Sequence, residues 1–324
     1  MTKSVKERLL PLLNGEDYIS GEKAAEILGV SRSAVWKAVE SLRQDGYGIE
    51  AVTNRGYRIK PDSDVLTSEE IEKNLVGLRG KLNIEVKNTV TSTNAVLKEF
   101  AAKGAREGPV LAASEQTAGR GRFARSFFSP SDSGVYMSIL LRPSLSCEKA
   151  VHITTAAAVA VAEAAEELTG RKTGIKWVND VLIENRKISG ILTEAAINIE
   201  SGTLDYAILG IGLNAYVPDG GFPDEISGIA GAIFDERKSG QRARLAALVL
   251  EKFFGYYEKI GSADCLEAYR KRCIVPGREI TVISVDGSKP ATAVGIDDNY
   301  RLHVIYPDQS QEFLSSGEIS IKLL

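Results

Sequence analysis

The chain has 324 residues, enough for two or three domains. Its 44% hydrophobic and 26% charged content is that of a globular protein, and a net charge of −3 excludes a generally basic nucleic-acid coat while leaving room for a local patch. Three widely spaced cysteines (Cys147, Cys265, Cys273) and two histidines (His152, His303) argue against a disulfide framework, a zinc site or a histidine-rich metal centre. The N-terminus, MTKSVKERLLPLLNGED, has charges every few residues and no apolar run, so it is not a signal peptide. The most apolar stretch, ITTAAAVAVAEAAEELTG, is alanine-rich and broken by Glu163, Glu166 and Glu167, which makes it a core helix and no membrane span. A soluble cytoplasmic protein with no membrane partner is expected.

Residues 1–62 read as helices followed by a short hairpin. In SGEKAAEILGV the cap candidate Ser20 precedes Ala24, Ala25, Ile27 and Leu28 at helical spacing, and Gly29 ends the helix. Ser31 can cap the next helix, SRSAVWKAVESLRQDGY, with Val35, Trp36, Val39 and Leu42 as its apolar face. Two helices around a tight glycine turn form a helix-turn-helix, and GIEAVTNRGYRIK then predicts two strands around TNRG, a wing. Residues 31–60 hold six Lys/Arg against three Asp/Glu, a positive patch on an acidic protein. Ser31, Arg32, Ser33 and Lys37 on the second helix and Arg55 on the wing are the DNA-contact candidates. The bland alternative is a small helical domain with a solvated basic face.

KPDSDVLTSEE (60–70) predicts a linker running into a helix capped at Thr67 or Ser68. Strands are expected at 108–116, 134–143, 173–179, 180–184, 187–199 and 204–216, with helices at 92–104 and about 149–169. The ENRK turn joins two strands as a hairpin. Such an order predicts an α+β domain with a mixed sheet and helices on one face. Residues 240–272 read as helical, and from Val275 onward short strands with turns at DGSKP and DDNYR predict a small β-barrel.

Chemistry concentrates in TAGRGRFARSFFSP (117–130), where glycines and permanent planar cations suggest a loop that closes on an anion. Alone, that pattern is as easily an exposed loop with solvated arginines. Four further stretches join it. TSTN (91–94) opens a helix, where hydroxyl and amide side chains meet backbone N–H groups. KWVND (176–180) lies at a strand junction, RKISGIL (186–192) sets Lys187 near a glycine, and GIGLN (210–214) lets a ligand approach a strand end.

In order and spacing, STN, EQTAGRGR, KWVND, RKISGIL and GIGLN make the chain resemble the biotin protein ligases, specifically the bifunctional members that also repress biotin-synthesis genes. The resemblance spans nearly the whole chain. It implies a winged helix-turn-helix at 1–62, a biotin- and ATP-binding catalytic domain of class II synthetase-like type at 63–273, and an SH3-like barrel at 274–324. Two positions depart from the family pattern. Val178 replaces a proline and leaves its turn without that residue's stiffness; Phe127 replaces a tryptophan and lacks its indole N–H.

The resemblance implies activation of biotin with ATP and Mg²⁺ to biotinyl-5′-adenylate, then transfer to a lysine of a biotin carboxyl carrier domain, as in acetyl-CoA carboxylase or pyruvate carboxylase. It assigns ligand binding to Ser92, Thr93, Asn94, Gln116, Arg120, Gly121, Arg122 and Lys187, and chemistry to Arg122, Lys187 and Asp180. Arg125, Phe127, Lys176, Trp177 and Asn179 fall on nucleotide-binding positions. Operator DNA and a homodimer of the adenylate-bound form are the implied partners of the winged helix. Three other readings compete: a lipoate-type protein ligase, a ligand-sensing repressor without ligase activity, and a ligase whose N-terminal domain binds no DNA.

Overall fold

The computed structural model describes residues 4–15, 17–198, 200–284 and 287–321. The chain divides into two compact units, Met1–Thr67 with Glu236–Ala243, and Ser68–Asp235 with Arg244–Leu324.

The first unit is three helices and a two-stranded wing: α1 (Val5–Leu13), α2 (Gly21–Leu28), α3 (Arg32–Gln44), β1 (Ile49–Val52) and β2 (Gly56–Ile59). Local chemistry sets each boundary. The Ser20 and Ser31 side chains accept from the backbone N–H groups of Lys23 and Ala34, and Gly29 closes α2 in the left-handed region at φ 65°. Leu9, Leu13, Ala24, Leu28, Val35, Val39 and Leu42 close one core. Two expected core residues do not join it: Trp36 is 55% exposed and Ile27 52%. The buried positions of α3 span one arc, and Trp36 lies about 60° beyond its edge. The stretch expected as a linker is also less open than predicted. Asp64 is buried and accepts from the backbone N–H of Arg242, whose side chain is 2% exposed.

In the second unit α4 (Ser68–Asn74) precedes a seven-stranded sheet and its helices. The strands are β3 (Asn83–Val90), β4 (Pro109–Gln116), β5 (Gly134–Leu141), β6 (Thr173–Lys176), β7 (Asp180–Ile183), β8 (Arg186–Asn198) and β9 (Thr203–Asn214), in the order β3-β4-β5-β9-β8-β7-β6. Only β3 and β4 run parallel, and α5 (Thr93–Ala102) makes the crossover between them. Strand β3 escapes sequence reading because Asn83, Glu85, Lys87 and Asn88 break up its apolar residues, as suits an edge strand. The β7–β8 hairpin turns at Glu184 and Asn185, both at positive φ, where ENRK was expected to turn.

Helix α6 (Val151–Thr169) is buried around most of its circumference by alanines small enough to pack between neighbours. Helices α7 (Asp224–Ser227), α8 (Gln241–Tyr257) and α9 (Ala263–Arg272) follow; the helical region expected over 240–272 is thus two helices. The C-terminal strands, β10 (Glu279–Ser284), β11 (Gly287–Ile296), β12 (Leu302–Ile305), β13 (Gln311–Leu314) and β14 (Glu318–Ile321), pair antiparallel in the order β13-β12-β11-β10-β14. The DDNYR turn forms as expected, whereas Gly287–Pro290 of DGSKP belong to β11; Asp286, its first residue, lies outside the described residues.

Candidate active site

The N-terminus of α5 forms one wall of a small pocket. Ser92 holds the N-cap position but makes no side-chain cap hydrogen bond. Gln116, at the end of β4, caps the helix in its place. Its Oε1 accepts from the Thr93 backbone N–H at 2.9 Å and from the Thr93 hydroxyl at 3.2 Å. Ser92, Thr93 and Asn94 are all under 5% exposed. With Gln116, Arg120 and Phe127 they line a cavity of about 30 Å³. Glycines form its opposite wall, since a Cβ on Gly212 would strike the Phe127 ring and one on Gly210 would overlap the Asn94 amide.

The Gly/Arg loop folds as a short hairpin. Arg120 and Ser126 bridge antiparallel, and Gly121 N donates to Arg125 O at 2.7 Å. Phe123 and Ala124 at its tip both adopt the left-handed conformation, with φ of 54° and 58°. For residues with a Cβ this costs about 1–3 kcal/mol each, so the tip is held by its surroundings. At the base, Phe127 N donates to Gly119 O, Gln116 Nε2 donates to Ser129 Oγ, and the Ser129 hydroxyl donates to Phe127 O. This places the Phe127 ring edge-on to Tyr136, with centroids 6.3 Å apart.

Beyond Arg120 the pocket meets a larger cleft of about 210 Å³. Cations from three segments converge there. Arg122 donates to Asn179 Oδ1 at 3.1 Å and to Gly317 O at 3.0 Å. Burial lowers the pKa of its guanidinium, while Asp180 and Glu318 favour the charge, so arginine stays protonated at neutral pH. Lys187 Nζ lies 2.8 Å from Asp180 Oδ1, a pair set by the β7–β8 hairpin. Gly121, Arg125 and Lys176 line the same cleft, and Arg125 pairs with Glu318 at 2.6 Å.

Asn179 is held despite the missing proline: its Nδ2 donates to Ile191 O at 2.9 Å and its own carbonyl accepts from Ile191 N. The Trp177–Val178 peptide bond is cis. Trp177 borders the cleft but is 3% exposed, and its indole N–H donates to Tyr300 O. Asn214 of GIGLN donates to the carbonyls of Lys187 and Gly231, pinning the segment after α7 to β8.

Sequence reading missed Tyr136, Ile229, Gly317 and Glu318, which line the pocket or the cleft. The last two lie nearly 200 residues from the Gly/Arg loop, and no local pattern marks them. Burial pushes Cys273 up to about 11 and raises Cys265, so neither of these two thiols supplies a thiolate at neutral pH.

In the first unit, Arg32, Ser33, Lys37 and Arg55 are exposed, and the Ser31 and Ser33 hydroxyls share a hydrogen bond at 2.9 Å. The Arg55 guanidinium lies over the Tyr18 ring at 4.5 Å, which fixes the wing's charge in place.

A small polar pocket opening onto a cation-lined cleft, on a mixed sheet with a C-terminal antiparallel sheet and a winged helix in one chain, defines a ligase coupled to a DNA-binding domain. The family described as "Biotin/lipoate A/B protein ligase" matches residues 86–214, an HTH domain matches 6–58, and "Biotin protein ligase C terminal domain" matches 276–322. The bifunctional ligase/repressor BirA of Bacillus subtilis (strain 168) is 34% identical over 92% of this chain and 93% of its own length. That of Escherichia coli K12 is 30% identical over 65% of this chain and 64% of its own length. Among solved structures, a biotin protein ligase from Aquifex aeolicus in complex with biotin and ATP covers 74% of this chain and 98% of its own, with 25% identity and a TM-score of 0.61. The chain belongs to the family of bifunctional biotin ligase/repressors.

Proposed function

We propose that this protein activates biotin with ATP to biotinyl-5′-adenylate, transfers biotin to a carrier lysine, and represses transcription with the adenylate as corepressor. The observation that carries this reading is the continuity between the pocket at the N-terminus of α5 and the cleft holding Arg122 and Lys187. A ureido ring, with one acceptor and two N–H donors, suits the hydroxyl and amide groups of Ser92, Thr93, Asn94 and Gln116. The chain attached to that ring then leads its carboxylate past Arg120 into the cleft.

Biotin's carboxylate is ionised at neutral pH and needs no base. The barrier is its repulsion from the triphosphate and the charge that builds at the α-phosphorus. Arg120, Arg122 and Lys187 oppose both as fixed cations. The carboxylate oxygen bonds to phosphorus and pyrophosphate leaves; Lys176, Asn179, Arg125, Trp177 and Phe127 border the space for the nucleotide. Among the described residues no three acidic, histidine or cysteine side chains group as a metal cage. The cleft's carboxylates, Asp180 and Glu318, are engaged by Lys187 and Arg125. Mg²⁺ would enter with the triphosphate and screen its charge, and no step here is assigned to it.

In the second step Lys187 turns from Asp180 to the adenylate phosphate. Asp180 is then free to receive the carrier amine, whose ordinary pKa near 10.4 leaves it protonated at neutral pH. The amine nitrogen bonds to the acyl carbon and AMP departs. The carrier is a biotin carboxyl carrier domain, of acetyl-CoA carboxylase first and pyruvate carboxylase second. No described helix is long and apolar enough to cross a membrane, and we assign the protein to the cytoplasm, where ATP and carrier are. The domains divide as 1–62, 63–273 and 274–324 by function. The adenylate-bound form dimerises and sets two winged helices on operator DNA.

Pyrophosphate exchange driven by biotin but not by lipoate, followed by mass spectrometry of an apo-carrier, tests the reaction. A carrier left unmodified would overturn it, and exchange with lipoate would move the protein to the sister activity.

A further inference from the structure

Helix α3 keeps its largest side chain outside the core. Trp36 is 55% exposed, and among the described residues its indole N–H meets no acceptor. The other tryptophan, Trp177, is 3% exposed and donates to Tyr300 O. One open apolar residue on a surface is ordinary; what marks Trp36 is its company. At 100° per residue, Arg32 lies about 40° to one side of it, and Ser33 and Lys37 about 60° and 100° to the other. All three are exposed, and among the described residues neither Arg32 nor Lys37 forms an ion pair. The polar groups beside them are engaged locally. Ser33 shares a hydrogen bond with the Ser31 hydroxyl at 2.9 Å, and Glu40, one turn on, pairs with Arg43 at 2.7 Å. The first turns of α3 thus present an indole flanked by two unpaired cations.

That combination selects the occupant. Unpaired cations on both flanks favour a polyanion, and the second helix of a helix-turn-helix enters the major groove with its N-terminal residues on the base edges. An indole donates one hydrogen bond and otherwise offers an apolar face. Of the groups that base pairs display in the major groove, the apolar one is the thymine 5-methyl. A G·C pair in its place shows N7, O6 and an amine, which an apolar face can only strip of water.

We propose that Trp36 is a specificity-determining residue of the winged helix, packing its indole on a thymine methyl in the major groove while Arg32 and Lys37 hold flanking phosphates. The inference rests on the reading that this domain binds operator DNA, and it adds which base is read and by which side chain.

The probe is the duplex that wild-type protein, with biotin and ATP, enriches from a random-sequence pool. Deoxyuridine in place of a thymine removes only the methyl. At one thymine of each half-site this should weaken wild-type binding about 3- to 10-fold, the scale of one buried methyl group, and leave Trp36→Ala binding unchanged. The consensus that Trp36→Ala enriches should lose its thymine at that position. Salt separates this role from a phosphate contact and from damage to the fold. Trp36→Ala should keep the wild-type slope of log affinity against log salt, whereas Arg32→Ala and Lys37→Ala should each lower it by about one per protomer. If Trp36→Ala does not fold, Trp36→Gln takes its place. A wild-type protein indifferent to every thymine methyl overturns the inference, as does an equal deoxyuridine loss in wild type and variant. So does loss, in Trp36→Ala without DNA, of a dimer formed by the wild type with biotin and ATP in sedimentation, since the indole then belongs to a protein interface. Wild-type protein that enriches no sequence would instead overturn the DNA reading, and this inference with it.

Discussion

Lys187 sits between two demands, an ion pair with Asp180 at 2.8 Å and the phosphate that the reaction brings. Lys187→Ala removes the cation from the reacting centre and strands Asp180. Pyrophosphate exchange should fall by about 10²–10³, the usual loss for one fixed electrostatic donor. Exchange at the wild-type rate would mean that the lysine does not face the α-phosphate. Arg122 is different, because its guanidinium ties the loop to Asn179 and to Gly317. Arg122→Gly should release the adenylate before transfer, and bystander lysines in a mixture should become biotinylated. Tight retention of the intermediate, followed by gel filtration, would remove the arginine's role as a clamp. At this scale the sequence was readable wherever residue type carries chemistry, as in the arginines and the lysine. It was unreadable at Gly317 and Glu318, because chain folding alone brings β14 to the loop.

Among the elements, α6 and α9 are joined by charge as well as by apolar packing. Arg272 reaches Glu166 at 2.7 Å and Glu163 at 3.5 Å. Burial alone would raise the Glu166 carboxyl, but hydrogen bonds from Arg272 and Thr173 outweigh it and hold its pKa below the ordinary carboxylate value. The unfolded chain therefore binds the proton more readily. The contribution is complete above the unfolded pKa of about 4.3 and is lost as pH falls through the lower folded value. Arg272→Leu should cost about 1–3 kcal/mol at pH 7 and flatten the acid limb of stability, measured by urea unfolding from pH 7 to pH 3. An unchanged acid limb would show that the pair is idle. The exposed Trp36 shows where helical periodicity fails as a guide. An apolar residue beside a buried arc looks like core in one dimension, yet α3 turns it to solvent, on the same helix as Lys37.

For the molecule as a whole, the proposed chemistry and the winged helix share one intermediate. Two half-sites bound by a dimer hold far better than one, because the second contact is made at high effective concentration. If the adenylate selects the dimerising state, operator affinity should rise with biotin plus ATP more than with biotin alone. It should fall again when apo-carrier consumes the adenylate. Gel-shift titrations measure this, with salt as a second axis: Arg32, Lys37 and Arg55 contact phosphates on this reading, and binding should weaken steeply with ionic strength. Equal DNA affinity with and without ligand would leave a ligase whose N-terminal domain is uncoupled from biotin supply.

Serine caps, the Gly29 terminator, the ENRK hairpin and the two-helices-then-wing order were all legible in the sequence, because each depends on contacts within a few residues. The motif set was legible for a related reason: permanent cations, amides and glycines at strand ends are chemically distinctive wherever they lie. Strand β3, the burial of Asp64 against Arg242 and the approach of Glu318 to Arg125 were decided only by the tertiary structure. A hydrogen-bonded row from Glu194 through Asn94 and Ser138 to Thr93 belongs with them, since its members come from α5, β5 and β8. No spacing along a chain encodes that meeting. It arises when the sheet sets β5 and β8 either side of β9 and packs α5 against β5 and β9, and only then do Glu194, Asn94 and Ser138 come within hydrogen-bond reach.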